Sequence, residues 1–261
     1  FNRQLPKPCI HPLITPSGAM LTGFEMSDHR WHRGLWFTIK LINNTNFWEE
    51  NEPFGTQQCI EQPAVHWLDP STTRLTHNLL WTSAATGDVA RESRAITTAL
   101  THQPWITIDW TTTLTFLQSA LLDRTPFTTW GGYGGMSYRA ARELHDATFT
   151  TPDGQQTQAI TGQSHDWVLM SAKVDGGVNR TVSLGMIDHP SNPRSPSPWY
   201  CKCASPGFTF MNAAFLFHEP MQVQKDQNLT FNYRMIARDG SWSVEDFRTL
   251  ATTFRNQEMA R

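Results

Sequence analysis

The stretch Trp105-Ile-Thr-Ile-Asp-Trp-Thr-Thr-Thr-Leu-Thr-Phe116 decides the fold class. Its apolar side chains stand mostly at alternate positions, separated by Asp109 and by threonines. A period of two predicts a β-strand with one apolar face and one wet face, and the β-branched residues favour the pleated backbone. Strands with one buried face and one solvent-exposed face are typical of antiparallel sheets.

Several other stretches repeat this pattern. Leu229 to Met235 alternates in the same way, and so do Val182, Leu184 and Met186. Further candidate strands are Leu35–Ile42, Leu75–Thr82, Asp166–Val174 and Phe208–Phe217. Many strands separated by Pro- and Gly-rich turns predict an all-β fold, an antiparallel β-sandwich that occupies residues 1–261 as a single domain. The residues expected to face inward are Ile106, Ile108, Trp110, Leu114, Phe116, Phe231 and Tyr233.

One short helix is predicted near the C-terminal end. Ser243 can cap it, and Asp246 follows three residues later, as in a capping box. Phe247, Leu250 and Phe254 then fall on one helical face. We expect this helix to pack its apolar stripe against an edge or end of a sheet.

Charge and hydropathy indicate which classes of binding partner are not expected. The formal net charge is −2, the sequence pI is about 6.6 and no basic stripe is present, so no nucleic-acid partner is expected. No apolar run approaches the roughly 20 residues that cross a bilayer, so no membrane partner is expected. Four cysteines without a metal-binding spacing read as free thiols, and the first residues do not resemble a signal peptide, which predicts a cytoplasmic protein. The oligomeric state stays open.

Side chains that can take part in catalysis or binding are most concentrated between Asp28 and Trp36, where two histidines and two arginines fall within nine residues. His29 and His32 are three positions apart, so a helical turn or tight loop would bring their rings together. An imidazole pair can supply an acid and a base near neutral pH, or it can bind a divalent metal. We predict His29 and His32 as catalytic residues, and they are also the candidate metal ligands. The alternative is that they only hydrogen-bond the end of a sheet.

A second polar segment runs from Asp188 to Trp199. Its four prolines limit the freedom of the loop, which can therefore hold polar side chains at a low ordering cost. Asp188 can orient the ring of His189, so this pair is also predicted as catalytic, with a purely structural loop as the alternative. We expect Asp28–Arg33 and Asp188–Arg194 to meet at one concave site, because neither segment has an obvious local partner.

The substrate expected for these segments is a sugar. Flat C–H faces of a sugar ring pack on indole, and its hydroxyls need directional partners such as Arg, Asp and His. The glycine-rich stretch before Arg139 has the spacing of neither a phosphate loop nor a dinucleotide fingerprint, so no nucleotide cofactor is expected. The predicted substrate-binding residues are His11, Asp28, Arg33, Trp36, Trp48, Arg139, Arg194 and Trp199.

These segments together resemble a bacterial family often labelled methane oxygenase PmoA-like. The matching stretches are His11–Gly18, Asp28–Phe37 with Phe47-Trp48-Glu49, Gly131–Arg139, Ile187–Trp199 and Phe215–Pro220. The resemblance implies a galactose-mutarotase-like supersandwich and a place in carbohydrate metabolism. It does not imply methane oxidation, because the membrane oxygenase subunit is a bundle of transmembrane helices and no segment here reads as one.

The resemblance also implies a set of pocket residues. Carried over position by position, they are His11, Asp28, His29, His32, Arg33, Asp188, His189 and Arg194. Arg30-Trp31 stands where the family pattern has Pro-His, so a cluster of three histidines is not expected and His29 and His32 remain.

These observations favour an enzyme that acts on a sugar, keto-sugar or glycoside by histidine acid–base chemistry, with or without a metal. Isomerase, epimerase and lyase reactions all fit, because each begins with proton removal next to a carbonyl. A glycoside hydrolase would need paired carboxylates at a set separation. The alternative is a non-catalytic carbohydrate-binding or accessory protein. The density of histidine beside aspartate and arginine favours the enzyme.

Overall fold

The computed structural model describes residues 5–100, 104–125, 132–175, 180–204 and 207–259. Antiparallel strands dominate this part of the chain, and one helix closes it. Gly131, the first residue of one of the motifs above, lies outside the described residues. No described helix is long and apolar enough to cross a membrane. All four cysteines are described and unbridged, as expected from the sequence.

The strands follow one another along the chain with short connections. They are β1 (Cys9–Ile10), β2 (Phe24–Met26), β3 (His29–Arg33), β4 (Leu35–Ile39), β5 (Leu41–Ile42), β6 (Thr45–Asn46), β7 (Thr56–Cys59), β8 (Ala64–Asp69), β9 (Thr72–Ser83), β10 (Gly87–Leu100), β11 (Trp105–Phe116), β12 (Ala120–Asp123), β13 (Gly134–Arg139), β14 (Leu144–Thr150), β15 (Gln156–Thr157), β16 (Ala159–Ser164), β17 (Trp167–Val174), β18 (Thr181–Asp188), β19 (Pro198–Ala204), β20 (Phe208–Ala213), β21 (Met221–Val223) and β22 (Asn228–Asp239). Helix α1 spans Val244–Arg255.

Two large sheets contain most of these strands. The first, here called the large sheet, has the order β15-β14-β17-β18-β22-β11-β10-β9-β7, with β8 also paired to β9. The second, here called the small sheet, has the order β1-β4-β13-β20-β19-β16. Strands β21, β12, β5 and β6 form a further sheet, and β2 and β3 form a hairpin. Every pairing among the described strands is antiparallel, which confirms the predicted class.

The two sheets pack face to face around one apolar core. The predicted strand around Trp110 is β11, and Trp110 pairs with Ile96 on one side and Tyr233 on the other. Phe37 of the small sheet contacts Phe231 of the large sheet, with ring centroids 5.0 Å apart. The residues expected to face inward are all buried, namely Ile106, Ile108, Trp110, Leu114, Phe116, Phe231 and Tyr233. The sandwich expected from the sequence is therefore confirmed.

Helix α1 packs on the outer face of the large sheet rather than against its edge, which corrects the sequence-based expectation. Ser243 caps the helix as predicted, because its side chain accepts a hydrogen bond from the Asp246 amide at 3.0 Å. Phe247 and Phe254 are buried against outward-facing residues of β17, β18 and β22. The sheet admits the helix because Gly185 of β18 has no side chain, and a Cβ there would lie 2.0 Å from the Phe247 ring.

We expect Gly185→Ala to destabilise the protein by about 1–3 kcal/mol, because overpacking a closed contact forces side chains and backbone to shift. Chemical unfolding of wild type and variant would measure this difference. In a Phe247→Ala background the same substitution should cost much less, since the ring that it meets is gone. An equal cost in both backgrounds would contradict the proposed contact.

Candidate functional site

The predicted histidine cluster lies on the outer face of the small sheet. Residues alternate along these strands, so Leu35 and Phe37 face the core while Trp36, between them, faces outward with Phe210. The β2–β3 hairpin lies against this face, since the His32 ring packs on Trp36 at 5.2 Å and on Phe210 at 5.0 Å between centroids. The hairpin thereby places its histidines on the sheet instead of in solvent.

His32 is buried in a stack of rings. Its ring lies between His29, at 4.7 Å between centroids, and Phe210, at 5.0 Å, and both neighbours are nearly parallel to it. Burial lowers the pKa of His32 well below its ordinary value, and the nearby cationic groups lower it further, so the ring is neutral. Arg139 Nη1 lies 3.5 Å from Nδ1. Because guanidinium can only donate, Nδ1 accepts and Nε2 carries the proton.

His29 stands at the opening of the same stack, with its side chain 34% exposed. Its Nδ1 lies 3.2 Å from Asp28 Oδ2, and the same carboxylate oxygen accepts a 2.6 Å hydrogen bond from the buried Arg139. Burial would raise the pKa of Asp28, but the hydrogen bonds from Arg139 and His29 outweigh burial and lower it. The ionised Asp28 therefore orients His29 and leaves Nε2 as the nitrogen that can take up a proton.

Arg33 has a different role from the predicted one. Its Nε donates to Glu25 at 3.1 Å, and Nη1 and Nη2 form a bidentate pair with Glu50. Lys7 also reaches Glu50, at 2.9 Å, and burial lowers the pKa of Lys7 to about 8. The guanidinium of Arg33 is thus occupied within the protein, and it positions the hairpin instead of offering free donors to a substrate.

A cavity of about 370 Å³ opens beside this network. Its lining combines carboxylates with an indole and two guanidinium groups, and it consists of Glu25, Ser27, Asp28, Arg30, Trp31, Arg33, Glu50 and Asn51. A volume of this order is in the usual range for small-molecule sites. The polar lining suits a ligand with many hydroxyl groups.

Aromatic rings extend the site across the sheet. Tyr133 stacks on Trp48 at 4.9 Å with nearly parallel planes, and it meets Tyr200 at 5.3 Å. Tyr133, Tyr200 and Phe208 are each partly exposed. The sequence reasoning did not select these three residues, although alternation in β19 and β20 could have indicated that Tyr200 and Phe208 share a face. Together they form a partly open aromatic surface beside His29.

Two of the tryptophans predicted to bind substrate form the base of this surface. Trp36 and Trp48 are fully buried, with ring centroids 5.6 Å apart, so neither presents a face to solvent. Within the described residues, the indole Nε1 of each and Nε2 of His32 are buried without a hydrogen-bond partner. The cluster therefore carries three donor groups in mutually contacting rings.

The segment from Asp188 does not join this site, so the expectation of one shared pocket is wrong. Asp188 is the last residue of β18 in the large sheet, whereas the histidine hairpin lies over the small sheet. Asp188 is buried and accepts hydrogen bonds from Asn192 at 2.7 Å and from the Ser197 amide at 2.9 Å. Burial raises the pKa of Asp188, and no side-chain hydrogen bond in the described part of the chain joins it to His189.

The other residues of that segment hold the loop in place. His189 contacts Ser191 Oγ at 2.7 Å and the Gln257 carbonyl at 3.0 Å, and it lines a cavity that shares no residue with the one beside Asp28. Arg194 donates to the backbone carbonyls of Phe215, Glu219 and Pro220. The indole of Trp199 donates to the His165 carbonyl and is fully buried. These contacts match the structural alternative for the loop.

His11 also lies away from the histidine stack. Its Nδ1 lies 2.9 Å from Thr22 Oγ1, and its ring stacks on Phe24 at 4.9 Å. It borders a separate cavity on the inner side of β1. Of the predicted residues, the structure therefore brings together Asp28, His29, His32 and Arg139, with Trp36 and Trp48 packed beneath the rings and Arg33 beside the adjoining cavity.

The placement of His29 and His32 does not suit a metal ion held by both rings. Their planes are stacked at an interplanar angle of 13°. A ring nitrogen binds a metal along a lone pair in the ring plane, at about 2.0–2.1 Å for zinc. Lone pairs in two stacked parallel planes do not converge on one point. Among the described residues there is also no group of three or more His, Cys, Asp or Glu side chains arranged to hold a metal.

The fold and this surface define a class of protein, an antiparallel β-sandwich with a polar and aromatic site on the outer face of one sheet. The family model described as "Family of unknown function (DUF6807)" matches residues 2–252. The chain therefore belongs to this family. The comparisons do not show the PmoA-like family that the motifs resemble. Comparison with the curated proteins gives no match.

Solved structures with a similar fold include three with names from carbohydrate biochemistry. A GalM/aldose epimerase homologue from C. elegans is 9% identical, with 89% of this chain and 92% of that chain covered and a TM-score of 0.39. A galactose mutarotase related enzyme from Lactobacillus acidophilus is 7% identical, with 69% and 72% covered and a TM-score of 0.33. A glycoside hydrolase family 97 enzyme from Pseudoalteromonas sp. strain K8 is 8% identical, with 88% and 35% covered and a TM-score of 0.42.

Acid should weaken the fold partly through His32. The folded-state pKa of His32 is lowered, so the unfolded chain binds one more proton there at pH values below about 6.5, the ordinary histidine pKa. Above about pH 6.5 the neutral, buried state of His32 therefore costs no stability. Below that pH, protonation of the unfolded chain lowers the free energy of unfolding by about 1.4 kcal/mol per pH unit. Between pH 7 and pH 4.5, we expect the free energy of unfolding of His32→Gln to depend less steeply on pH than that of wild type. The difference in slope should correspond to one bound proton.

The matched control for this measurement is His66→Gln, because His66 lies on the exposed strand β8. This variant should keep the wild-type pH dependence of the free energy of unfolding. A wild-type slope in His32→Gln would show that His32 is not held neutral by its surroundings.

Proposed function

We propose that this protein is a carbohydrate-active enzyme whose acid–base group is His29. The observation that carries the proposal is the chain of contacts from Arg139 to Asp28 to His29 at the open end of the ring stack. A base used in catalysis needs access to substrate and a fixed orientation. His29 has both, because its side chain is partly exposed while its Nδ1 is held by an ionised carboxylate.

The different surroundings of His29 and His32 give the two rings different roles. His32 is neutral and buried, so it serves as a packing surface and as part of the donor cluster with Trp36 and Trp48. His29 is the ring that a substrate can reach. Removal of His32 would change the position of His29, whereas removal of His29 would remove the reacting group itself.

The reaction that this arrangement supports is proton transfer at a carbon next to a carbonyl group. His29 Nε2 would take the proton from the C–H bond. The electron pair of that bond would pass into the carbonyl group to form an enediolate. Arg142, an exposed cation whose Nη2 lies 3.9 Å from Asp28 Oδ1, could stabilise this charge. Return of the proton to the same or the neighbouring carbon gives epimerisation or isomerisation, and loss of a leaving group gives elimination.

The surroundings support a sugar as the substrate. Tyr133, Tyr200 and Phe208 offer partly exposed rings on which C–H faces can pack, and the cavity beside Asp28 offers carboxylates for hydroxyl groups. The aromatic surface by itself would also favour the second candidate, a carbohydrate-binding protein without catalysis. The two candidates differ in whether His29 is needed for anything beyond binding.

A ligand screen followed by isotope exchange separates these candidates. Thermal-shift measurements across monosaccharides, keto-sugars, uronates and glycosides identify a binder, since a ligand of the native state raises the melting temperature by mass action. The binder is then incubated with the protein in D₂O, and proton NMR follows deuterium entering the carbon next to the carbonyl. Exchange supports the enzyme, and binding without exchange supports the binding protein.

We expect His29→Gln to lower the rate of deuterium exchange by about 10²–10⁴, the usual effect of removing a positioned acid or base, while the dissociation constant changes little. His189→Gln is the matched control, because His189 directly follows β18 of the large sheet and contacts Ser191 and Gln257. It should keep the wild-type exchange rate. Full activity in His29→Gln would contradict the assigned role.

A further inference from the structure

A second cavity lies between β1 and the inner face of the large sheet. It has a volume of about 180 Å³ and is separate from the outer face of the small sheet. Its walls are mainly apolar and include Ile10 from β1, Leu75 from β9, Ile96 from β10 and Trp110 from β11. This cavity has no part in the function proposed above.

One charged side chain, Arg94, borders the cavity. It is completely buried, and its guanidinium lies 4.7 Å from the centroid of the Trp110 ring. Nε and Nη2 donate to the carboxylate of Glu92 at 2.5 and 2.9 Å. Its third nitrogen, Nη1, is buried without a hydrogen-bond partner among the described residues. A buried donor without an acceptor is costly, so this nitrogen is the group to which a ligand would bind.

The charge of Arg94 is already balanced inside the protein. Glu92 is also buried, and it accepts further hydrogen bonds from Trp81 at 2.7 Å and Thr112 at 3.0 Å, which hold the carboxylate in place. Burial lowers the pKa of the neighbouring His77 to about 3, so that ring is neutral near pH 7. Burial also raises the pKa of the Cys9 thiol to about 11, so the thiol is neutral too. An ionised ligand would therefore enter an apolar cavity with no opposite charge to pair with.

We propose that this cavity binds a small neutral molecule with an apolar body and one acceptor oxygen, held by Arg94 Nη1. The apolar walls would cover the body of the ligand, and the guanidinium would donate to its carbonyl or hydroxyl oxygen. The ligand class differs from that of the first site, where carboxylates and guanidinium groups surround a larger and more polar cavity. The two sites therefore take different molecules.

Three probes of similar shape test this inference on the full chain. They are cyclohexanone, which has one acceptor oxygen, methylcyclohexane, which has none, and cyclohexanecarboxylate, which is charged. NMR titration would follow the methyl groups of Ile10, Leu75 and Ile96. We expect cyclohexanone to bind at least about tenfold more tightly than either other probe, which is the effect of one hydrogen bond to a charged donor. Equal binding of methylcyclohexane, or tighter binding of the carboxylate, would overturn the proposal.

A variant that fills the cavity locates the site. Leu75 is only partly buried, so Leu75→Trp can occupy the space while Arg94 and Glu92 stay paired. We expect this variant to lose cyclohexanone binding and to keep the wild-type circular dichroism spectrum. Leu121→Trp, at an exposed leucine on β12, is the matched control and should bind as wild type does. Unchanged binding in Leu75→Trp would place the probe elsewhere and would also overturn the proposal.

Discussion

Glu50 accepts hydrogen bonds from two buried cations, Arg33 and Lys7, and the rest of the site depends on this ion-pair network. A charge taken out of water must be paired and hydrogen-bonded, and loss of one partner leaves the others exposed to a large desolvation cost. The three residues come from the N-terminal segment, the β2–β3 hairpin and the loop after β6. Because Arg33 and Lys7 are buried and both pair with Glu50, this network holds the hairpin against the small sheet.

The position of the hairpin then decides the properties of its histidines. One ring, His32, is pressed between His29 and Phe210, where burial keeps it neutral. The next ring outward, His29, stays partly exposed and meets Asp28. Two identical side chains three positions apart thus differ in accessibility by their depth in one stack. The difference arises from packing and not from the chemistry of imidazole.

Strand β1 borders the apolar cavity and also packs against the aromatic rings of the outer face. Cys9 pairs with Trp36 and packs with the ring cluster of the outer face, whereas Ile10 pairs with Leu35 and packs against the core. Alternation within that strand gives each side the character of the surface it faces, one aromatic and charged and the other apolar.

Local pattern was sufficient to predict much of the fold. The period of two in β11 and β22 predicted both strands and their inward faces, and the spacing of Ser243, Phe247 and Phe254 predicted helix α1. These features depend on neighbours within a few residues, so the sequence carries them directly. The dense group of polar residues between Asp28 and Arg33 indicated a candidate site, but His29 to Arg33 form strand β3 of a hairpin and not the helical turn or tight loop that was expected.

Which residues form the site depends on the order of the strands in the two sheets, and local sequence pattern does not specify that order. Asp188 and His189 resembled the histidine hairpin in residue type, but β18 belongs to the large sheet and the hairpin covers the small one. The helix lies on a sheet face because Gly185 leaves room for Phe247, a fit between residues far apart in the chain. The sequence by itself determined which segments are strands and which are polar. Only the tertiary structure decided which polar segments meet, because long-range packing and burial of charge select their neighbours.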